Sequence, residues 1–152
     1  IGWLLDDGTF AHAVDAGRGT KPAIATRKSG GAGLVFLQGN DLRISEFSVF
    51  SLPCTDGEFC NARIDIDPVE ESRTTVTGLA YVEATDTWFI AVDDQLLAVG
   101  RVDGEPVVQQ SWRTTVSGGS PTRVDVESSG ATAAVLQSSP EGDSVLTFVG
   151  CL

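Results

Sequence analysis

Basic side chains are scarce in this sequence: Lys and Arg number 10 against 21 Asp and Glu, giving a formal net charge of −11 over 152 residues. Phosphate backbones reward clustered basic residues through counterion release, and the densest basic stretch here is Arg27-Lys28, with Lys21 nearby. Nucleic acid is therefore a poor partner. An anionic membrane surface is disfavoured by the same electrostatics. The acidity points to solubility and freedom from self-association. Long apolar runs are missing too, and none approaches the roughly 20 residues that span a bilayer. No basic-then-apolar leader opens the chain, so membrane insertion is not expected. The first residue is Ile1 rather than Met, and Ile1-Gly2-Trp3-Leu4-Leu5 already reads as a strand. That predicts a natural beginning upstream, either a removed leader or a larger parent chain.

Helical periodicity is weak, because 17 Gly and 6 Pro punctuate the sequence. Short strands account for it better. Trp3-Leu4-Leu5, Asp6-Asp7-Gly8-Thr9 and Phe10-Ala11-His12-Ala13-Val14 form a run, a turn and a run, the signature of a hairpin. Further runs cover 23–26, 34–37 and 42–49. The last alternates apolar with polar residues, which predicts one wet face. Ala62-Arg63-Ile64-Asp65-Ile66-Asp67 alternates again and stops at Pro68, before a polar loop over 68–74. Over 79–99 no Gly or Pro excludes a helix, but the aromatic and β-branched run 87–92 fits a strand buried on both faces. Asp103-Gly104 turns the chain into 106–112, and after Ser117-Gly118-Gly119-Ser120-Pro121 the rhythm resumes over 123–127, 131–136 and 145–149.

Three of these runs occupy corresponding places: Leu34-Val35-Phe36-Leu37-Gln38, Trp88-Phe89-Ile90-Ala91-Val92 and Ala133-Ala134-Val135-Leu136-Gln137. Their spacing is close to the roughly 40–50 residues of propeller blades. On this pattern the chain resembles part of a β-propeller, with the turn-strand-turn logic of WD-repeat and related families. The resemblance implies an all-β, partial propeller-like array of short antiparallel strands, in blade-like units at about 1–20, 21–74, 75–117 and 118–152. It carries over no functional residues, since neither a Trp-Asp blade ending, nor the kelch double glycine, nor the aspartate box is matched. The same turns also allow a self-contained β-sandwich.

Three cysteines remain to be placed. Cys54 and Cys60 flank a loop with Asp56-Gly57 at its tip, which suits a hairpin disulfide and hence an extracellular or periplasmic protein. Zinc needs a second ligand pair, which one His and one distant Cys do not supply, so no metal site is expected there. Cys151 is left over, as a buried thiol or a bond to another chain.

Chemistry is harder to find. His12 is the only histidine, and with Asp65 or Asp67 and Ser144 it makes a serine-hydrolase order. Val145-Leu146 follows the serine where glycines should form an oxyanion hole, so His12 reads as a strand residue. No Gly-x-Ser-x-Gly elbow is present. Asp65 and Asp67, two apart on a strand, share a face that could take calcium, though alternation with Ile64 and Ile66 makes it a solvated face. Asp65 with Asp67, or Asp93 with Asp94 at a turn, also make carboxylate pairs of the kind glycosidases use, while Asp6-Asp7-Gly8 and Asp103-Gly104 read as turn chemistry. Among Trp3, Trp88 and Trp112, Trp88 is assigned to the core, and Trp112, after Gln109-Gln110-Ser111, is the candidate exposed ligand-binding anchor. The expectation is a non-catalytic interaction or scaffold module of an exported protein, completed by another polypeptide chain, a second copy or the rest of its parent. The alternative is a fragment of a hydrolase whose active site is completed elsewhere.

Overall fold

The computed structural model describes residues 3–4, 7–11, 18–48, 57–66, 75–113, 120–126, 132–138 and 144–150. Thirteen strands are described, together with one 3-10 turn at Glu83–Thr85. A two-stranded sheet pairs β1 (Trp3–Leu4) with β2 (Phe10–Ala11). Two four-stranded antiparallel sheets follow in simple chain order. The first holds β3 (Thr20–Thr26), β4 (Ala32–Gln38), β5 (Asp41–Phe47) and β6 (Ala62–Ile64). The second holds β7 (Val76–Val82), β8 (Thr87–Val92), β9 (Gln95–Val102) and β10 (Glu105–Arg113). A three-stranded sheet of β11 (Ser120–Val126), β12 (Thr132–Ser138) and β13 (Ser144–Gly150) completes the described chain. The fold is all-β, as the runs and turns predict.

Local chemistry sets the hairpins. Val102 pairs with Glu105, so Asp103-Gly104 is a two-residue loop, and both residues have positive φ, 52° and 85°. That is the mirror-image turn whose twist matches the flanking strands, and Asp-Gly favours it. Asp93, at φ 49°, turns β8 into β9, and its carboxylate accepts a hydrogen bond from the Thr75 amide at 2.9 Å. The segment 79–99 is therefore strand, 3-10 turn, strand, turn and strand. Leu34–Gln38, Trp88–Val92 and Ala133–Gln137 lie in β4, β8 and β12, each the second strand of its sheet.

Sheets pack through their first strands: β7 lies between β3 and β11. The outer strands of the two four-stranded sheets also meet, where Asp65 makes an isolated parallel bridge to Val107. The principal core lies between these sheets and includes Val35, Ile44, Phe59, Trp88, Ile90 and Leu97. A smaller cluster of Ala80, Ala91, Leu96 and Val135 joins the second sheet to the third. Trp88 is fully buried, as expected, and the run 87–92 is buried at every position except the half-buried Phe89. Gly33 lies under the Trp88 ring, where any Cβ would overlap the indole. The absent side chain is what lets the two sheets approach.

The expected wet face of 42–49 is a correction. Ser45 and Glu46 are buried, at 4% and 1% exposure, and Glu46 is covered by Trp88 and Arg101 of the second sheet and by Phe59.

Candidate functional site

Two constellations stand out, one buried and one open. The buried one centres on Glu46. Its Oε1 accepts a hydrogen bond from the Trp88 indole Nε1 at 2.6 Å, and its Oε2 accepts one from the Phe59 amide at 2.8 Å. Arg101 donates to the same Oε2 through Nη2, and Arg27 Nη1 stands 3.6 Å from Oε1. A carboxylate taken out of water needs such partners, since an unpaired buried charge costs several kcal/mol. The backbone of Glu46 also pairs with Phe59, its amide donating to the Phe59 carbonyl at 2.6 Å.

Arg101 ties the cluster together. Its Nε donates to the Gly57 carbonyl at 2.8 Å, its Nη1 to Asp86 Oδ1 at 2.7 Å, and its guanidinium lies 4.3 Å from the Phe59 ring centroid. Desolvation pulls the Arg101 pKa down, but the hydrogen bond to Glu46 and the charges of Glu46 and Asp86 outweigh it and hold the pKa above its ordinary value. The Tyr81 hydroxyl donates to the same Asp86 oxygen, and its ring centroid is 4.5 Å from that of Trp88. Burial first, and the bond to Asp86 second, push the Tyr81 pKa up to about 12. Arg27 pairs with Glu58 at 3.2 Å. The turn after β3 is fastened to the 3-10 turn by Ser29, whose amide donates to Glu83 at 3.0 Å. Glu46 is saturated with donors and its side chain is wholly buried, so it cannot reach a substrate proton. The cluster acts as a pin between two sheets and the 57–60 loop.

The open constellation is a half-open groove of about 580 Å³ along β10 and the end of β6. Arg63, Asp65, Glu105, Val108, Gln110 and Ser111 are among its lining residues. Gly100 on β9 leaves the space that the Gln109 amide fills. Asp65 is exposed, in keeping with a solvated face, and pairs with Arg63 at 2.7 Å. The groove offers amides, a hydroxyl and short apolar patches, a lining suited to holding a chain by hydrogen bonds and contact.

The sequence-selected residues land unevenly. Trp112 is half-buried and stacks on Phe89 with centroids 6.3 Å apart and planes 17° from parallel, against the small second cluster. It is less open than an exposed anchor would be. Cys60 is exposed next to the buried Phe59, while Cys54 and Cys151 lie outside the described residues. His12 and Asp67 also lie outside them. Ser144 opens β13, paired with Ser138. No group of three or more His, Cys, Asp or Glu is placed to hold a metal ion among the described residues. Sequence reasoning missed the Glu46 pin altogether. The available signal was the double polar step Ser45-Glu46 inside an apolar run, the place where period-2 alternation fails.

No family model matches the sequence, and the search of curated proteins found no match.

Proposed function

We propose that this chain is a non-catalytic interaction or scaffold module of an exported protein, arranged as a partial β-propeller, which binds another polypeptide chain or another part of its parent. The observation that carries this reading is the row of first strands β3, β7 and β11, each opening a sheet of consecutive antiparallel strands. Blades set around an axis have that order. On this reading β4, β8 and β12 are equivalent strands of successive blades, which accounts for their related sequences.

A binding role is favoured over catalysis by the way the polar groups are used. The strongest polar cluster is buried and engaged in joining sheets, whereas the open groove mixes amides, a hydroxyl and charged side chains with the apolar Ile66, Pro106, Val107 and Val108. In this proposal Cys54 and Cys60 close the 54–60 loop as a disulfide in an oxidising compartment, extracellular or periplasmic, and the Glu46–Phe59 contacts hold that loop from inside.

The test is the intact mass of the native purified assembly, with and without reductant, under denaturing and non-denaturing conditions. The expected result is a species heavier than the 15.9 kDa chain, containing a companion polypeptide or a second copy. A lone 15.9 kDa monomer would overturn the reading and leave the self-contained sandwich as the better account, and hydrolysis that appears only with the companion chain present would overturn it in favour of the enzyme-fragment alternative.

A further inference from the structure

Sheet edges are liabilities, and most edges here are blunted. β3 carries Lys21-Pro22 and a register break between Thr20 and Ala23. β6 has only three residues, with Arg63 in the middle. β7 has a break between Val76 and Gly78. β10 begins Glu105-Pro106 and is bulged between Val108 and Gln110. β11 carries Pro121, Arg123 and Asp125 with a break between Pro121 and Arg123. The exception is β13. Its seven residues contain no charge and no proline, run in unbroken register with β12, and pair with no other strand among the described residues. Leu146 on it is 55% exposed.

The sequence of this edge is close to a palindrome about Thr147. Antiparallel pairing of two copies centred there sets Val145 opposite Val149, Leu146 opposite Phe148, Thr147 opposite Thr147 and Ser144 opposite Gly150. Every apolar residue meets an apolar one, and threonine meets threonine. Aliphatic–aromatic and Thr–Thr pairs are favourable cross-strand combinations, each contributing roughly 0.2–1 kcal/mol. A two-fold axis through Thr147 makes the contact isologous and closed, so it ends at a dimer rather than a fibre.

We propose that β13 is a docking edge for β13 of a second copy of this chain, joining two three-stranded sheets into one continuous six-stranded sheet. The inference rests on the interaction-module reading and names its partner. With seven residues per side the contact is small, so the dimer is concentration-dependent. The charge of −11 on each copy opposes it, and added salt strengthens it by screening.

Sedimentation equilibrium of the full chain over a roughly hundredfold concentration range tests the proposal. A monomer–dimer equilibrium is expected, weakened at least about tenfold by Leu146→Lys, equivalent to about 1.4 kcal/mol. The same charge placed by Ile24→Lys on β3, where Ile24 is 59% exposed, leaves it unchanged. In a Cys151→Ser background, Thr147→Cys copies form an interchain disulfide under mild oxidation, because directly opposed Cα atoms lie about 4.5–5.5 Å apart. Ser144→Cys copies, about 20 Å apart in this register, do not. A dimer that survives Leu146→Lys, or that dissociates on adding salt, places the contact elsewhere and overturns the proposal. So does a native assembly with a different polypeptide and no second copy, a result that leaves the interaction-module reading standing. A chain that stays monomeric over the whole concentration range and carries no companion polypeptide removes both.

Discussion

The two four-stranded sheets share strand order and antiparallel pairing but differ in how far they are shut away from water. Nearly every residue of β8 and β9 is buried, while β3 is mostly exposed and presents Ile24 to solvent. The difference follows from neighbours. The second sheet is flanked through β7 by both β3 and β11, whereas β3 packs on β7. Burial of whole strands thus records position in the row more than intrinsic sequence, although Trp-Phe-Ile-Ala-Val suits the enclosed place and Lys-Pro-Ala-Ile-Ala the open one.

The sharpest way to break the pairing of the sheets is to remove their shared carboxylate. Glu46→Ala removes the carboxylate that accepts from the Trp88 indole, the Phe59 amide and Nη2 of Arg101, and a loss of about 3–5 kcal/mol is expected in urea denaturation. Replacing Gly33 with Ala is expected to cost about 1–3 kcal/mol, since the added methyl must displace the Trp88 ring or the strand. A smaller effect comes from Tyr81, the only tyrosine in the chain, so its ultraviolet ionisation can be read alone. Its midpoint is expected near pH 12 rather than 10. The folded-state value is raised, so its contribution to stability is complete below about pH 10 and fades as pH climbs through the folded value. Because the side chain is partly exposed, the decline is shallow. A midpoint near 10 in the folded chain would show that the Tyr81–Asp86 bond does not persist in solution.

Much of the strand pattern is legible in sequence because turns and apolar runs are local signals. Asp103-Gly104 predicts its two-residue loop from the tolerance of both residues for positive φ, and the run 87–92 predicts a doubly buried strand. The Glu46 site is not legible in that way. Its partners Trp88 and Arg101 lie 42 and 55 residues along the chain, and although period 2 puts Glu46 on the face of Leu42 and Ile44, nothing local names the donors that let a carboxylate sit there. Trp112 fails to stand out for a related reason: its polar approach, Gln109-Gln110-Ser111, suggests exposure, but Phe89 on the same sheet offers it a stacking surface.

Those separations also bear on how the chain reaches its native state. Within each sheet every strand pairs with its immediate successor, so the loops to be closed are mostly short and the hairpins form quickly. Contacts across 42 and 55 residues demand more loop-closure entropy and an already shaped surface on both sides. Folding is accordingly stepwise in character, with sheets as early units and the burial of the Glu46 carboxylate as the late event that locks two of them into register.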